Sequence, residues 1–276
     1  MDRTTWILVG LVGLGAVITV FLLRQDEPPP PVVETVAEAP PEPVVEEVEP
    51  EPVEPPPPAV SESEPPVPTV PVLEPIELPA LEESDEEIRA ALVDTVGERP
   101  VESFLVPREI VRKIVVTVDN LPNEKVAMRL RAVEPIDERF VVNGSIDEGY
   151  TLSPDNYRRY AGFVRVVEET DPEQLAALYF RYYPLLQEGY EELGYPGRQF
   201  HARVIAVIDD LLAAPAPAGP LALVRPKVMY QFADPALESL SAGQKMMVRM
   251  GPDNAYVVKA RLRELRGLLT GAPAGD

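Results

Sequence analysis

DPEQLAALYFRYYPLLQEGYEELGYPGRQFHARVIAVIDDLL, residues 171–212, decides the fold class of this 276-residue chain. Asp171 suits the cap of a helix and Pro172 suits its first position, so this dipeptide predicts a helix start, and Gly194 predicts the end of that helix. Its apolar residues recur at helical spacing: Leu175, Leu178, Tyr179, Leu186 and Tyr190. A second predicted helix, residues 200–212, carries its apolar side chains on one side: Val204, Ile205, Ile208, Leu211 and Leu212. Adjacent amphipathic helices indicate a mainly α-helical domain.

Helix signals continue on both sides of this stretch. Ser84 and Glu87 have the spacing of a capping box, with Ser84 as the N-cap. Pro107 predicts the start of a helix with an apolar face over residues 110–118, although its β-branched residues leave a strand open for the second half. Further helix starts are predicted at Ser153-Pro154, Asp234-Pro235 and Gly251-Pro252, and a last helix end at Gly271.

Strand signals are few. Residues 228–232 alternate apolar and polar side chains, residues 221–224 precede them, and residues 140–142 stand before Asn143-Gly144. The sequence therefore predicts a mainly α globular C-terminal domain with a small strand element over residues 84–269, followed by a flexible tail, 270–276.

The amino-terminal residues 1–24 are predicted to hold a transmembrane signal anchor. Residues 4–23 contain no charge and, as a helix, reach about 30 Å, the thickness of the hydrocarbon core of a bilayer. The main alternative, a cleaved signal peptide, usually has a shorter apolar region and a small-residue cleavage site. Because no base follows Arg24 in the next segment, we expect a single-pass protein of the bacterial inner membrane with its C-terminal domain in the periplasm.

Residues 25–83 form a predicted disordered linker. They hold 16 acidic residues, no basic residue and 19 of the 34 prolines of the chain. Proline removes backbone donors and like charges repel, so the segment is expected to be extended, with a reach between about 40 Å as a coil and about 180 Å as polyproline II. It is interpreted as a spacer, with recognition by proline-binding modules as the alternative.

Composition excludes several kinds of chemistry. The chain has no Cys and one His, which excludes thiolate metal sites, cysteine nucleophiles and multi-histidine centres, and no cofactor is predicted. Its 46 acidic and 25 basic residues, net −21, argue against nucleic acid as a partner. His201 is expected at a helix start, half exposed, without a nucleophile elbow to serve. Three adjacent carboxylate pairs, Glu168-Glu169, Glu191-Glu192 and Asp209-Asp210, should diverge on helices.

Tyrosine and basic residues supply the candidate binding residues. Eight of the ten tyrosines lie between residues 150 and 195; core packing explains most of them, but Tyr182 and Tyr195 are predicted to be exposed, and Arg198 follows on the same turn as Tyr195. Residues 245–266 hold six Lys and Arg against one Asp and one Glu. They indicate either a solvated helix face or a docking strip for an anionic partner, with Lys259, Arg263 and Arg266 as its contacts.

Several motifs resemble one protein family: VDNLP (118–122), LSPDNYRRY (152–160), YYPLLQEGYEELGYPGR (182–198), RPKVMYQFADPALESLSAGQK (225–245) and RMGP (249–252). Over residues 84–266 the chain is similar to the proteobacterial family called domain of unknown function 3014 (DUF3014). The membrane anchor and the Pro/Glu linker also resemble the usual layout of that family. The resemblance implies this architecture and no activity, so it assigns no catalytic residue.

Together these observations predict a membrane-anchored envelope protein that binds or scaffolds. Its expected partners are the lipid bilayer, through residues 4–23, and an envelope protein or anionic cell-wall polymer; an alternative is an intramolecular contact between the acidic linker and the basic C-terminal helix. Two alternative functions stay open. One is an envelope hydrolase that uses carboxylate chemistry on glycan or peptide, and the other is a single-pass signalling or mechanical transducer.

Overall fold

The computed structural model describes residues 77–124, 132, 140–226 and 229–271. Within them lie a 3₁₀ helix, Leu81–Glu83, and ten α-helices. In chain order these are α1 (Asp85–Val96), α2 (Glu98–Phe104), α3 (Ile110–Asn120), α4 (Asp155–Arg159), α5 (Ala161–Glu169), α6 (Pro172–Glu192), α7 (Phe200–Leu212), α8 (Pro235–Glu238), α9 (Ala242–Arg249) and α10 (Pro252–Thr270). The prediction of a mainly α domain with a small strand element is confirmed.

The predicted membrane span, residues 4–23, lies outside the described residues, and so do residues 25–76 of the predicted linker and residues 272–276 of the tail. Among the described helices, none combines the length and the apolar composition needed to cross a bilayer.

The main core lies between α3, α6, α7 and α10, with α1 and α5 packed at its sides. Its largest fully buried side chains include Phe163, Leu175, Phe200, Ile208 and Leu211. Gly189 lies where α6 meets α3. A Cβ at this position would be 3.5 Å from a methyl group of Val115, so the small residue lets the two helices approach closely. Helix α6 therefore packs against neighbouring helices on several sides. A smaller part of its surface is exposed to solvent than expected for a helix buried along one apolar stripe.

The predicted helix starts at Asp-Pro pairs are confirmed. The Asp171 carboxylate accepts a hydrogen bond from the Glu173 N–H at 2.8 Å, and Asp234 accepts one from the Ala236 N–H at 2.9 Å. Helix α10 begins at Pro252 and ends before Gly271, which has the left-handed conformation expected of a helix terminator. These signals are local, so the sequence alone was sufficient to locate them.

One predicted start was confirmed without its predicted hydrogen bond, and another was wrong. Helix α1 begins at Asp85 with Ser84 as its N-cap residue, but the Ser84 hydroxyl donates to the Leu81 carbonyl at 2.8 Å instead of capping the helix. Helix α3 begins at Ile110 rather than at Pro107, because the Asp85 carboxylate accepts hydrogen bonds from the N–H groups of Glu109 (2.7 Å) and Ile110 (2.8 Å). A side chain from α1 thus caps α3, and the β-branched second half of α3 stays helical.

The single helix predicted from Ser153-Pro154 is two helices. Helix α4 ends at Arg159 and α5 begins at Ala161, with Tyr160 between them. Tyr160 is 1% exposed. The break therefore occurs at a buried aromatic residue.

Within the described ranges, four short strands form an antiparallel sheet in the order β1 (Val142–Ser145), β2 (Gly149–Leu152), β3 (Ala222–Val224) and β4 (Gln231–Phe232). The register pairs Tyr150 with Leu223 and Leu223 with Phe232. The predicted strand segments at 140–142, 221–224 and 228–232 each contribute to it, whereas β2 was missed. Asn143-Gly144, before which the predicted strand segment ends, lies inside β1, and the chain reverses over residues 146–148.

The described domain includes residues 77–83, which were predicted to belong to the linker. Leu81 is buried in the main core. Arg112 on α3 bonds Glu82 at 3.0 Å and Glu192, at the end of α6, at 2.7 Å. The 3₁₀ helix is therefore attached to both α3 and α6 through one guanidinium group.

Candidate functional site

An open polar cleft lies where the ends of α3 and α6 meet the turn before α7. It has a volume of about 350 Å³. Its lining consists of Asp119, Tyr190, Tyr195, Gly197, Arg198, Gln199, Ala202 and Arg203. Two predicted binding residues, Tyr195 and Arg198, are thus brought together in one cleft.

Asp119 forms one wall of the cleft and its charge is compensated. The residue is 8% exposed, and its Oδ1 atom lies 2.9 Å from Nε of Arg203. The Tyr195 hydroxyl donates to Oδ2 at 3.2 Å, and Nη2 of Arg203 donates to the Asp119 backbone carbonyl at 2.5 Å. A nearly buried carboxylate requires such partners, so this trio holds α3, α7 and the intervening turn together.

Aromatic stacking positions Tyr195. Its ring lies 4.7 Å from that of Tyr190 with an interplanar angle of 25°, and the guanidinium carbon of Arg198 lies 5.9 Å from its centroid. Tyr190 is buried, which raises the pKa of its hydroxyl. Arg198 is exposed and, among the described residues, makes no ion pair. Tyr195 thus contacts a buried aromatic ring and an exposed cation.

The Gln187 side chain fixes the turn that carries Tyr195 and Arg198. Its Oε1 accepts from the Tyr183 hydroxyl at 3.0 Å and from the Phe200 N–H at 2.9 Å. Its Nε2 donates to the Arg198 carbonyl and to the Glu191 carboxylate, both at 2.8 Å. One amide therefore joins the α7 end of the turn to the last turns of α6.

The expected exposure of Tyr182 was wrong. Tyr182 is 5% exposed, and its hydroxyl donates to Glu87 at 2.9 Å. It faces α1, which covers this side of α6, and burial together with the Glu87 hydrogen bond raises its pKa. The structure does not bring Tyr182 to the cleft lining.

The three basic candidates on α10 are largely engaged within the domain. Nζ of Lys259 donates to the Ala214 carbonyl at 2.5 Å, and Arg266 binds both carboxylate oxygens of Asp209 at 2.6 and 3.1 Å. Arg263 is exposed and makes no ion pair within the described residues. Two further cations of the predicted strip, Lys245 and Arg249, are buried. The exposed positive strip is therefore smaller than predicted.

His201 is buried, contrary to its expected half exposure. Its Nδ1 atom lies 3.0 Å from the Tyr179 hydroxyl, and the rings of Tyr179, Phe180 and Tyr183 pack around it. Burial lowers the pKa of the imidazole. The first turn of α7 lies against the aromatic residues of α6, which explains this burial.

Two of the three adjacent carboxylate pairs, Glu191-Glu192 and Asp209-Asp210, make side-chain contacts outside the cleft lining. The Arg112 guanidinium lowers the pKa of Glu192, while Asp209 binds Arg266 and Asp210 accepts from Ser241 at 2.6 Å. In the part of the chain that the structure describes, no three His, Asp or Glu side chains are grouped so that they could hold a metal ion.

Sequence reasoning missed three residues that build the cleft: Asp119, Gln187 and Arg203. Asp119 stands in the VDNLP motif and Gln187 in the 182–198 motif used for the family resemblance, but neither motif indicates which side chains meet. The pairing of Asp119 with Arg203 joins residues 84 positions apart. No local pattern reports such a contact.

Comparison with known proteins supports the family assignment. No curated protein matches the chain, and no solved structure matches it. One family model, described as "Protein of unknown function (DUF3014)", matches residues 110–266, more than half of the chain. The match spans every residue that lines the cleft, from Asp119 to Arg203. The chain belongs to the DUF3014 family.

Proposed function

We propose that this protein is a membrane-anchored binding module of the bacterial cell envelope, whose domain engages its partner through the cleft at Tyr195 and Arg198. Residues 4–23 would anchor it in the inner membrane, and the acidic, proline-rich linker would hold the domain away from the bilayer in the periplasm. The observation that carries the proposal is an open polar cleft with an exposed arginine that no acidic side chain of the described residues neutralises.

The composition of the cleft favours binding over carboxylate catalysis. A glycosidase needs two carboxyl groups that face each other across one site. The described lining holds a single carboxylate, Asp119, which is nearly buried and paired with Arg203. Tyrosine and arginine, by contrast, are the residues that dominate binding surfaces.

Site-specific photocrosslinking in intact cells tests the binding role. A benzoylphenylalanine in place of Gln199, at the cleft, should form a specific adduct, and Arg198→Gln should weaken it. The matched control position is Glu173, exposed near the other end of α6 and about 25 Å from Tyr190 along the helix. Equal adducts from both positions, or an adduct at 199 that ignores Arg198→Gln, would count against the cleft.

Membrane topology has its own test, because the chain contains no cysteine. Glu173→Cys introduces a single thiol, which a membrane-impermeant maleimide should label in intact cells if the domain is periplasmic. Labelling only after lysis would place the domain in the cytoplasm. Release of the full-length chain from vesicles by carbonate would contradict the anchor.

Exchange of the span separates a binding module from a transducer. If residues 4–23 serve only as an anchor, an unrelated membrane span should preserve the crosslink at position 199 and the cellular phenotype of the protein. Retention of the crosslink with loss of the phenotype would favour the transducer.

A further inference from the structure

We propose that the cleft binds the carboxylate group of a peptide end or a similar small ligand, with the Arg198 guanidinium as the principal contact. This inference rests on the proposed function, since it names the chemistry of the ligand for the same cleft.

Arg198 has the position and the freedom required of such a contact. Its backbone N–H donates to the Tyr195 carbonyl at 3.2 Å, and its own carbonyl accepts from Gln187 at 2.8 Å, so the main chain is held at both sides. The side chain is exposed and lies over the Tyr195 ring. A guanidinium offers a fork of N–H donors that matches the two oxygens of a carboxylate.

The charge of the lining selects among anions. In the described lining of the cleft, Arg198 and Arg203 are the cations and Asp119 is the one anion, which leaves one net positive charge. A carboxylate neutralises this charge. A phosphate dianion would leave an excess negative charge close to Asp119, in a site where that carboxylate is itself nearly buried. A monoanionic carboxylate is therefore the better match.

The rest of the lining suits a small polar body. The cleft volume of about 350 Å³ falls at the lower end of the range of small-molecule pockets. Gly197 has φ of 77°, and a Cβ placed on it would meet nothing within 4 Å, so the turn leaves open space beside Arg198. Gln199 supplies an exposed amide, and Ala202 and the Tyr195 ring supply apolar contact. One or two residues at the end of a peptide would fill such a space.

Saturation-transfer NMR on the full-length chain in detergent tests the inference. The probes are N-acetyl-alanyl-alanine, its C-terminal amide and inorganic phosphate. Binding of phosphate is measured through its competition with the peptide. We expect the free carboxylate to bind at least ten-fold more tightly than the amide and more tightly than phosphate. Arg198→Gln should remove this preference.

Arg181→Gln is the matched control, because Arg181 also lies over a tyrosine ring, that of Tyr182 at 5.3 Å, but outside the cleft. It should leave the preference for the carboxylate unchanged. Equal binding of peptide and amide to the wild-type chain overturns the inference without any variant, as does tighter binding of phosphate. If either result accompanies a specific crosslink from position 199, the cleft still binds a partner and only the assigned ligand chemistry is wrong.

Discussion

Gly251→Ala should destabilise the domain through two separable effects. Gly251 precedes α10 with φ of 87° and ψ of 161°, a backbone region that is essentially restricted to glycine. A Cβ at this position would also lie 2.7 Å from Cγ of Tyr157 and 2.8 Å from both of its Cδ atoms. One substitution therefore introduces backbone strain and a steric overlap with a ring.

Gly97 provides a control with nearly the same backbone. It precedes α2 with φ of 88° and ψ of 158°, but its Cβ would meet only Pro100 Cδ, at 3.9 Å. Gly97→Ala therefore carries the strain without the overlap. The strain costs about 1–3 kcal/mol, of which the lower entropy of the unfolded chain offsets about 0.4–1 kcal/mol.

The overlap adds the cost of inserting a methyl group into a packed site, about 1–3 kcal/mol. We therefore expect Gly251→Ala to lower the free energy of unfolding by about 1–6 kcal/mol, and Gly97→Ala by about 3 kcal/mol or less. Urea unfolding of the full-length chain, followed by circular dichroism at 222 nm, measures both values.

A double mutant isolates the overlap. Tyr157→Ala removes the ring, so Gly251→Ala should cost less in that background than in the wild-type chain, by about 1–3 kcal/mol. Equal losses for Gly251→Ala and Gly97→Ala, with no coupling to Tyr157, would refute the steric argument. A Gly97→Ala variant that is more stable than the wild-type chain would refute the strain argument.

Three further predictions concern buried or bridging polar groups. Burial lowers the pKa of His201 below its unfolded value of 6.5, so the unfolded chain binds more protons than the folded chain as the pH falls. The free energy of unfolding should therefore decrease below about pH 6.5, by up to about 1.4 kcal/mol per pH unit from this group. The urea midpoints at pH 7.5 and 5.0 should differ less in His201→Gln than in the wild-type chain, and an unchanged difference would exclude this histidine as the cause. Tyr182→Phe loses the hydrogen bond to Glu87, so it should lower the free energy of unfolding in urea by about 1–2 kcal/mol. The crosslink at position 199 should stay intact. Loss of that crosslink would show that Tyr182 matters for binding. In Gln187→Glu the new side chain cannot donate to the Arg198 carbonyl. The preference for the peptide carboxylate over its amide should then weaken at least ten-fold in the NMR titration. An unaltered preference would mean that the turn keeps its conformation without the Gln187 amide.

Local signals in the sequence predicted the helices well. Asp171-Pro172 and Asp234-Pro235 start helices because the cap and the first position are adjacent in the chain, and no tertiary contact is needed to form them. The start of α3 depends instead on Asp85, a carboxylate 25 residues away from Ile110. Strand β2 has four residues of which only Leu152 is buried, so it carries too little alternation to be recognised.

Only some of the residues of the cleft could be predicted from the sequence, for a similar reason. Tyr195 and Arg198 lie on one turn, and the sequence indicated both. Tyr182 was assigned to a surface because a single buried stripe was assumed for α6, whereas that helix also packs against α1. Asp119 and Arg203 become part of the site only through long-range packing, which a periodic pattern does not report.

The Gln187 amide affects the rate of ligand association with the cleft and the entropy that is lost on binding. Because its hydrogen bonds to the Arg198 carbonyl and the Phe200 N–H already hold the turn, a ligand need not order this segment, and the entropy loss on association falls mainly on the ligand itself. Free and occupied forms of the turn should then superimpose closely, and the encounter rate should follow diffusion and ionic strength rather than a loop rearrangement.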